Sequence, residues 1–167
     1  MPAAEILAHL GDEIFWSYKK LCVVRNPFDK AVSMFWFLLS PQERQALLSA
    51  PLSVVRSAFG QFIRSEHIRI EKSGLNNCCD WYIYTIHDRV IVDVVLRYET
   101  LALDLEALFR SLGAQFDIGS MSLFKSGFRA RNEHFTEYYD ADALAIAQNL
   151  FCKEINYFNY TFSNILT

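Results

Sequence analysis

The sequence changes character abruptly at Asn26-Pro27. Residues 20–25 (KLCVVR) are a short apolar run rich in β-branched side chains, the composition of a buried strand. Proline follows, and its locked φ and missing N–H suit the first turn of a helix. Phe28, Val32, Phe35 and Leu39 then recur at helical spacing, which predicts a helix with one buried face that stops near Ser40-Pro41. Steps of this kind, from strand directly into helix, are the unit of α/β layered folds.

The rest of the chain repeats the alternation. Val55, Phe59, Phe62 and Ile63 predict a second helix over residues 52–66, and residues 74–80 (GLNNCCD) read as a loop. Residues 81–86 (WYIYTI) and 89–99 (RVIVDVVLRYE) are aromatic and β-branched, and read as strands about a turn at His87-Asp88. Thr100 is placed to cap a helix whose Leu101, Leu105, Leu108 and Leu112 form one stripe before Gly113 ends it. Asp140 or Asp142 opens a last helix, with Leu144, Ala147, Phe151, Ile155 and Phe158 on its apolar face. The first fifteen residues look like an amphipathic helix. With no repeat and no low-complexity linker, residues 1–167 are expected to form a single α/β domain on a mainly parallel sheet, though the strands are few for a complete one.

Composition narrows the function. The hydrophobic content of 52% argues for a packed core, and a net charge of −3 argues against a global grip on nucleic acid. No run is long enough to cross a bilayer, and the acidic start does not read as a signal peptide, so a cytoplasmic location is expected. Cys22, Cys78, Cys79 and Cys152 form no CxxC pair and read as reduced, mostly buried thiols with no metal site. The sequon at Asn159 is too short a motif to carry weight.

Ligands of open α/β sheets collect where strands end and helices begin. Arg25 stands at that point, near the N–H groups of the following helix, and backbone donors, helix dipole and guanidinium fork together suit a phosphate. Ser33, off the apolar stripe, offers a hydroxyl to the same anion. The plainer alternative pairs Arg25 with Asp29 or another carboxylate and leaves Ser33 as a neutral surface residue. Farther on, Lys125, Arg129 and Arg131 gather around Gly127 with no acid until Glu133, a local anion site in an acidic chain or a solvated charge run. His134 is the only histidine with a location suited to a site, and is not expected to be the base; His9, His67 and His87 read as surface or turn residues. Glu99, at a strand end, reads as structural.

The segment VRNPFDKAVS resembles the second nucleotide motif, V-R-N/D-P-x-x-R/K-x-x-S, of sulfotransferases that use 3′-phosphoadenosine 5′-phosphosulfate (PAPS). Arg97, Tyr98, Glu99 and Leu101 resemble the family's R-Y-E-x-L segment, and FKSGFRARNEHFTEYYD with the later F-x-Y-x-F resembles its C-terminal section. The likeness is closest to the bacterial and carbohydrate-type branch. It implies a P-loop-NTPase-like three-layer sandwich, with Arg25 and Ser33 on the 3′-phosphate of PAPS and with Lys125, Arg129 and Arg131 closing over the nucleotide. Lys30 falls where the family has a basic residue.

The same family positions the 5′-phosphosulfate with an N-terminal loop K-x-G/A-x-[ST], and no segment of that form occurs in this sequence. No catalytic base is assigned. The resemblance therefore covers the C-terminal portion of such a domain and implies a sheet incomplete at its N-terminal side, with an exposed edge that invites homo-oligomers. Met1 reads as an internal methionine of a longer protein, whose missing segment would make a Golgi lumenal or membrane-associated location the alternative. The expected activity is sulfuryl transfer from PAPS to a hydroxyl or amine of a small-molecule or carbohydrate acceptor. The alternative is a non-catalytic remnant that binds a nucleotide or a partner.

Overall fold

The computed structural model describes residues 1–74, 77–115, 117, 129 and 131–163. The chain forms two compact units, each built from two stretches: Met1–Arg25 with Asp80–Ser122, and Asn26–Cys79 with Leu123–Thr167.

The first unit holds all the described strands. Its helix α1 (Ala3–Ser17) bends at Gly11, whose φ of +75° strains any residue with a β-carbon. β1 (Leu21–Val24) pairs in parallel with β4 (Val94–Arg97), Leu21 opposite Val94 and Val24 opposite Arg97. Lys20 pins that register: its N–H donates to the Asp93 carboxylate at 2.7 Å, and its carbonyl accepts from Asp93 N at 2.7 Å and Val94 N at 3.1 Å. Between these strands in sequence lies a hairpin of only two residue pairs, β2 (Thr85–Ile86) and β3 (Arg89–Val90).

Strand-like composition overstates the strands here. Residues 81–83 form a 3-10 turn, held by Trp81 Nε1 donating to Asp88 Oδ1 at 2.9 Å and Thr85 Oγ1 donating to the Trp81 carbonyl at 2.6 Å. His87 and Asp88 both take positive φ, which makes the tight two-residue loop expected of a hairpin. A second 3-10 turn (Tyr98–Thr100) leads from β4 into α5 (Leu101–Ser111). Thr100 makes no side-chain cap; Asp104 instead reaches back to the Arg97 N–H at 2.7 Å. Gly113, at φ +70°, follows the end of the helix.

The second unit is helical. It comprises α2 (Pro27–Leu38), α3 (Pro41–Ser49), α4 (Leu52–Ser73), a 3-10 turn (Phe135–Tyr138), α6 (Ala141–Leu150) and α7 (Cys152–Phe158). Phe28, Val32, Phe35 and Trp36 of α2 meet Val55, Phe59 and Ile63 of α4 in one buried cluster, as the apolar stripes predict. Each large side chain so buried contributes roughly 1.5–3 kcal/mol. Trp36 Nε1 donates to the buried Tyr138 hydroxyl at 3.3 Å, and the Tyr139 hydroxyl donates to the Phe28 carbonyl at 2.9 Å. The 3-10 turn is thereby fastened to α2 through polar groups inside an aromatic core.

Three boundaries differ from the sequence expectation. Helix α3 was not anticipated, although Ser40 and Glu43 form a reciprocal capping box at its start. Helix α4 runs on to Ser73, where Gly74 at φ +72° returns its N–H to the Ile70 carbonyl at 2.8 Å. The expected last helix opens at Asp140, whose Oδ1 caps Ala143 N at 2.7 Å, and is interrupted at the fully buried Phe151.

Candidate functional site

In the second unit the site begins with Asn26, which is buried. Its Oδ1 accepts from Phe28 N at 3.0 Å, capping α2, and its Nδ2 donates to the Thr161 carbonyl at 3.1 Å. A short side chain carrying both an acceptor and a donor is what this double contact needs. With Pro27 at the first helical position, the cap fixes where the outward face of α2 starts. Asp29, Lys30 and Ser33 lie on that face and are half-buried, while Phe28, Val32, Phe35 and Trp36 point inward.

Arg129 is brought to this face by Asp29. Its Nη1 donates to Asp29 Oδ1 at 2.5 Å, its Nη2 donates to the Glu133 carbonyl at 2.8 Å, and its guanidinium lies 5.6 Å from the Tyr138 ring centre. Asp29 and Ser33 are four residues apart on one helix, so their β-carbons are about 5–6 Å apart on a shared face. The second unit thus places a guanidinium and a hydroxyl on the same side of α2.

Arg131 has a different environment. Its Nε and Nη2 both donate to Glu133 Oε1, at 2.9 and 2.5 Å. Its Nη1 donates to the carbonyls of Leu47, Leu48 and Ala50, at 3.1, 3.4 and 2.8 Å. These carbonyls lie at the C-terminal end of α3, where a cation is favoured; that of Leu47 also accepts from Ala50 N at 3.3 Å. The hydrogen bond from Arg131 holds the Glu133 carboxyl below its ordinary range, and the same bond raises the Arg131 guanidinium. The sequence groups Arg131 with the nucleotide loop; its donors serve the helix end and Glu133 instead.

Arg25 belongs to the first unit. It follows β1, is half-buried, and lies with its guanidinium carbon 4.4 Å from the centre of the Tyr98 ring. Tyr98 is 53% exposed, so this cation–π contact sits at the surface. Lys125 lies outside the described residues.

The histidines take minor roles. His134 Nδ1 lies 2.8 Å from Thr136 Oγ1 beside the Phe135 ring, His67 pairs with Glu71 at 3.4 Å, and His9 Nδ1 lies 2.7 Å from the Glu5 carbonyl. His87 is a hairpin turn residue, as its position suggests. Among the described residues no group of three His, Cys, Asp or Glu side chains is placed to hold a metal ion, and no helix is long and apolar enough to cross a membrane.

Sequence reasoning missed Asn26 as a two-ended anchor and Asp29 as the partner of Arg129. The first had a signal, since Asn before a proline-led helix is a favoured cap. The second had only the spacing of Asp29 and Ser33 on one helix face. Compared with protein-family models, with curated proteins and with solved structures, the chain has no match in any of the three.

Proposed function

We propose that the chain is the nucleotide-binding portion of a PAPS-dependent sulfotransferase with a P-loop-NTPase-like layered fold. The activity is transfer of the sulfuryl group from PAPS to a hydroxyl or amine of a small-molecule or carbohydrate acceptor. The observation that carries the reading is the passage from β1 through Arg25 and the Asn26 cap into α2. It sets the pattern V-R-N-P-x-x-K-x-x-S on a strand end and the helix that follows. The resemblance assigns Arg25 and Ser33 to the 3′-phosphate, and gives Arg129 and Lys125 to the nucleotide as added positive charge. Charge-assisted bonds from guanidinium and hydroxyl donors suit a dianionic phosphate. The strand-to-helix step at Arg97, Tyr98, Glu99 and Leu101 supports the same reading in a second segment. Self-association through β1, whose Leu21 and Val23 are exposed, belongs to this proposal as well.

Titration with adenosine 3′,5′-bisphosphate against AMP tests the assignment. Preference for the bisphosphate, lost in Arg25→Ala, is the expected result; equal or absent binding overturns it.

A second reading has its own observation: no K-x-G/A-x-[ST] segment is present in the sequence to position the 5′-phosphosulfate. On that reading the protein binds the nucleotide or a partner without catalysing transfer. Incubation with labelled PAPS and a panel of hydroxyl and amine acceptors separates the two, since any transferred label rules out the second.

A further inference from the structure

We propose that Asp29 is a positioning residue that selects Arg129, and not Arg131, as the arginine meeting a phosphate beside Ser33. The inference rests on the nucleotide reading above and adds to it a residue outside the matched motif positions.

Three observations carry it. Asp29 holds the Arg129 guanidinium by a single oxygen at 2.5 Å, and the Glu133 carbonyl and Tyr138 ring hold it from other sides. A side chain with the rotamer freedom of arginine is thereby fixed before any ligand arrives, which removes part of the ordering cost of binding. Next, the Asp29 and Ser33 positions are one turn apart on α2, so the guanidinium that Asp29 holds is anchored one turn from the serine.

Saturation distinguishes the two arginines. A guanidinium has five N–H donors. Arg129 donates to Asp29 and to the Glu133 carbonyl and lies against Tyr138, fewer protein partners than Arg131 has. Arg131 engages all three of its nitrogens, with Glu133 and with three carbonyls ending α3. Moving Arg131 to a ligand would strand those carbonyls and the Glu133 carboxylate, whereas Arg129 can bind without leaving Asp29.

The sign of one substitution separates positioning from simple charge. A carboxylate close to a phosphate site repels the anion, so removing its charge by Asp29→Asn would tighten binding if Asp29 did nothing else. If Asp29 orients Arg129, the same substitution weakens binding. The experiment measures adenosine 3′,5′-bisphosphate affinity of the full chain by calorimetry, with melting temperature as the folding control. Asp29→Asn is expected to raise Kd about tenfold, Asp29→Glu to recover part of the loss, and Asp29→Asn combined with Arg129→Ala to be no worse than Arg129→Ala alone. Unchanged or tighter binding by Asp29→Asn overturns the inference while the nucleotide reading stands. Absent binding by the unmodified protein ends both. Should Asp29→Asn fail to fold, Arg129→Ala and Arg131→Ala decide: a larger affinity loss from Arg131→Ala than from Arg129→Ala overturns the selection.

Discussion

Arg131 donates from Nη1 to the carbonyl of Ala50 at 2.8 Å, across 81 residues of chain. The segment before the 3-10 turn is tied in this way to the end of α3. Removing the side chain leaves the Leu47, Leu48 and Ala50 carbonyls without their cation and Glu133 without its partner. Arg131→Ala is expected to cost about 2 kcal/mol, the scale of hydrogen bonds to a charged group. Urea denaturation checks it, with a lowered midpoint and an unchanged slope.

Glu66 is the most deeply buried acid, at 1% exposure on α4, and serves the loop that follows the helix. Its Oε2 accepts from Asn77 N at 2.6 Å and its Oε1 from Asn77 Nδ2 at 3.0 Å, with Arg69 at 3.4 Å. Glu66→Ala strands two donors and opens a space beside a packed helix. A loss of about 2–4 kcal/mol is expected by denaturant unfolding. Glu66→Gln keeps most of the shape and is expected to cost less.

Acid should loosen the protein through three carboxylates. Glu133 is held down by Arg131, Glu43 by the Ser40 hydroxyl and N–H in the α3 cap, and Asp93 by the Lys20 N–H. A carboxyl whose folded value lies below its unfolded one stabilises fully above the unfolded value and loses that contribution as pH falls through the folded one. The melting temperature is therefore expected to fall below about pH 4.5, the ordinary glutamate value. Glu133→Gln should start lower at pH 7 and fall less between pH 6 and pH 3. At the alkaline end burial raises Tyr139 well above its ordinary 10.0, so its unfolded form ionises first and stability declines above that pH.

The four cysteines should separate by reactivity. Cys152 is exposed, Cys78 and Cys79 are buried, and burial pushes the half-buried Cys22 thiol up to about 11. At pH 8 a thiol with that value is only about 0.1% thiolate, and the thiolate is the nucleophile. Brief iodoacetamide treatment followed by mass spectrometry is expected to find Cys152 labelled first and all four labelled only after denaturation. Early labelling at Cys22 would contradict the partial burial of that thiol.

Legibility in the sequence followed locality. The apolar run ending in Asn-Pro and the stripe of Phe28, Val32 and Phe35 are encoded within a few residues. The strand and the helix both formed, but the strand expected to be buried leaves Leu21 and Val23 exposed, because burial depends on what packs against it and not on its own apolar content. Composition misled where it was the only signal. WYIYTI is strand-like in content, yet its first three residues turn and only Thr85 and Ile86 pair as strand, because Thr85 and Asp88 bind back to Trp81.

By itself the sequence determined that a strand leads into Asn26, that a helix begins at Pro27, and that Ser33 lies off its apolar stripe. Only tertiary structure decided the partners of the charged groups. Asp29 meets Arg129 at a separation of 100 residues, and Arg131 meets Ala50 at 81. A helix propensity or a cap is a local free energy, but an ion pair exists only where packing delivers two distant side chains to one place. Lys125, Arg129 and Arg131 therefore read alike as a basic cluster along the chain. In the folded protein Arg129 pairs with Asp29 on α2, and Arg131 seals the end of α3.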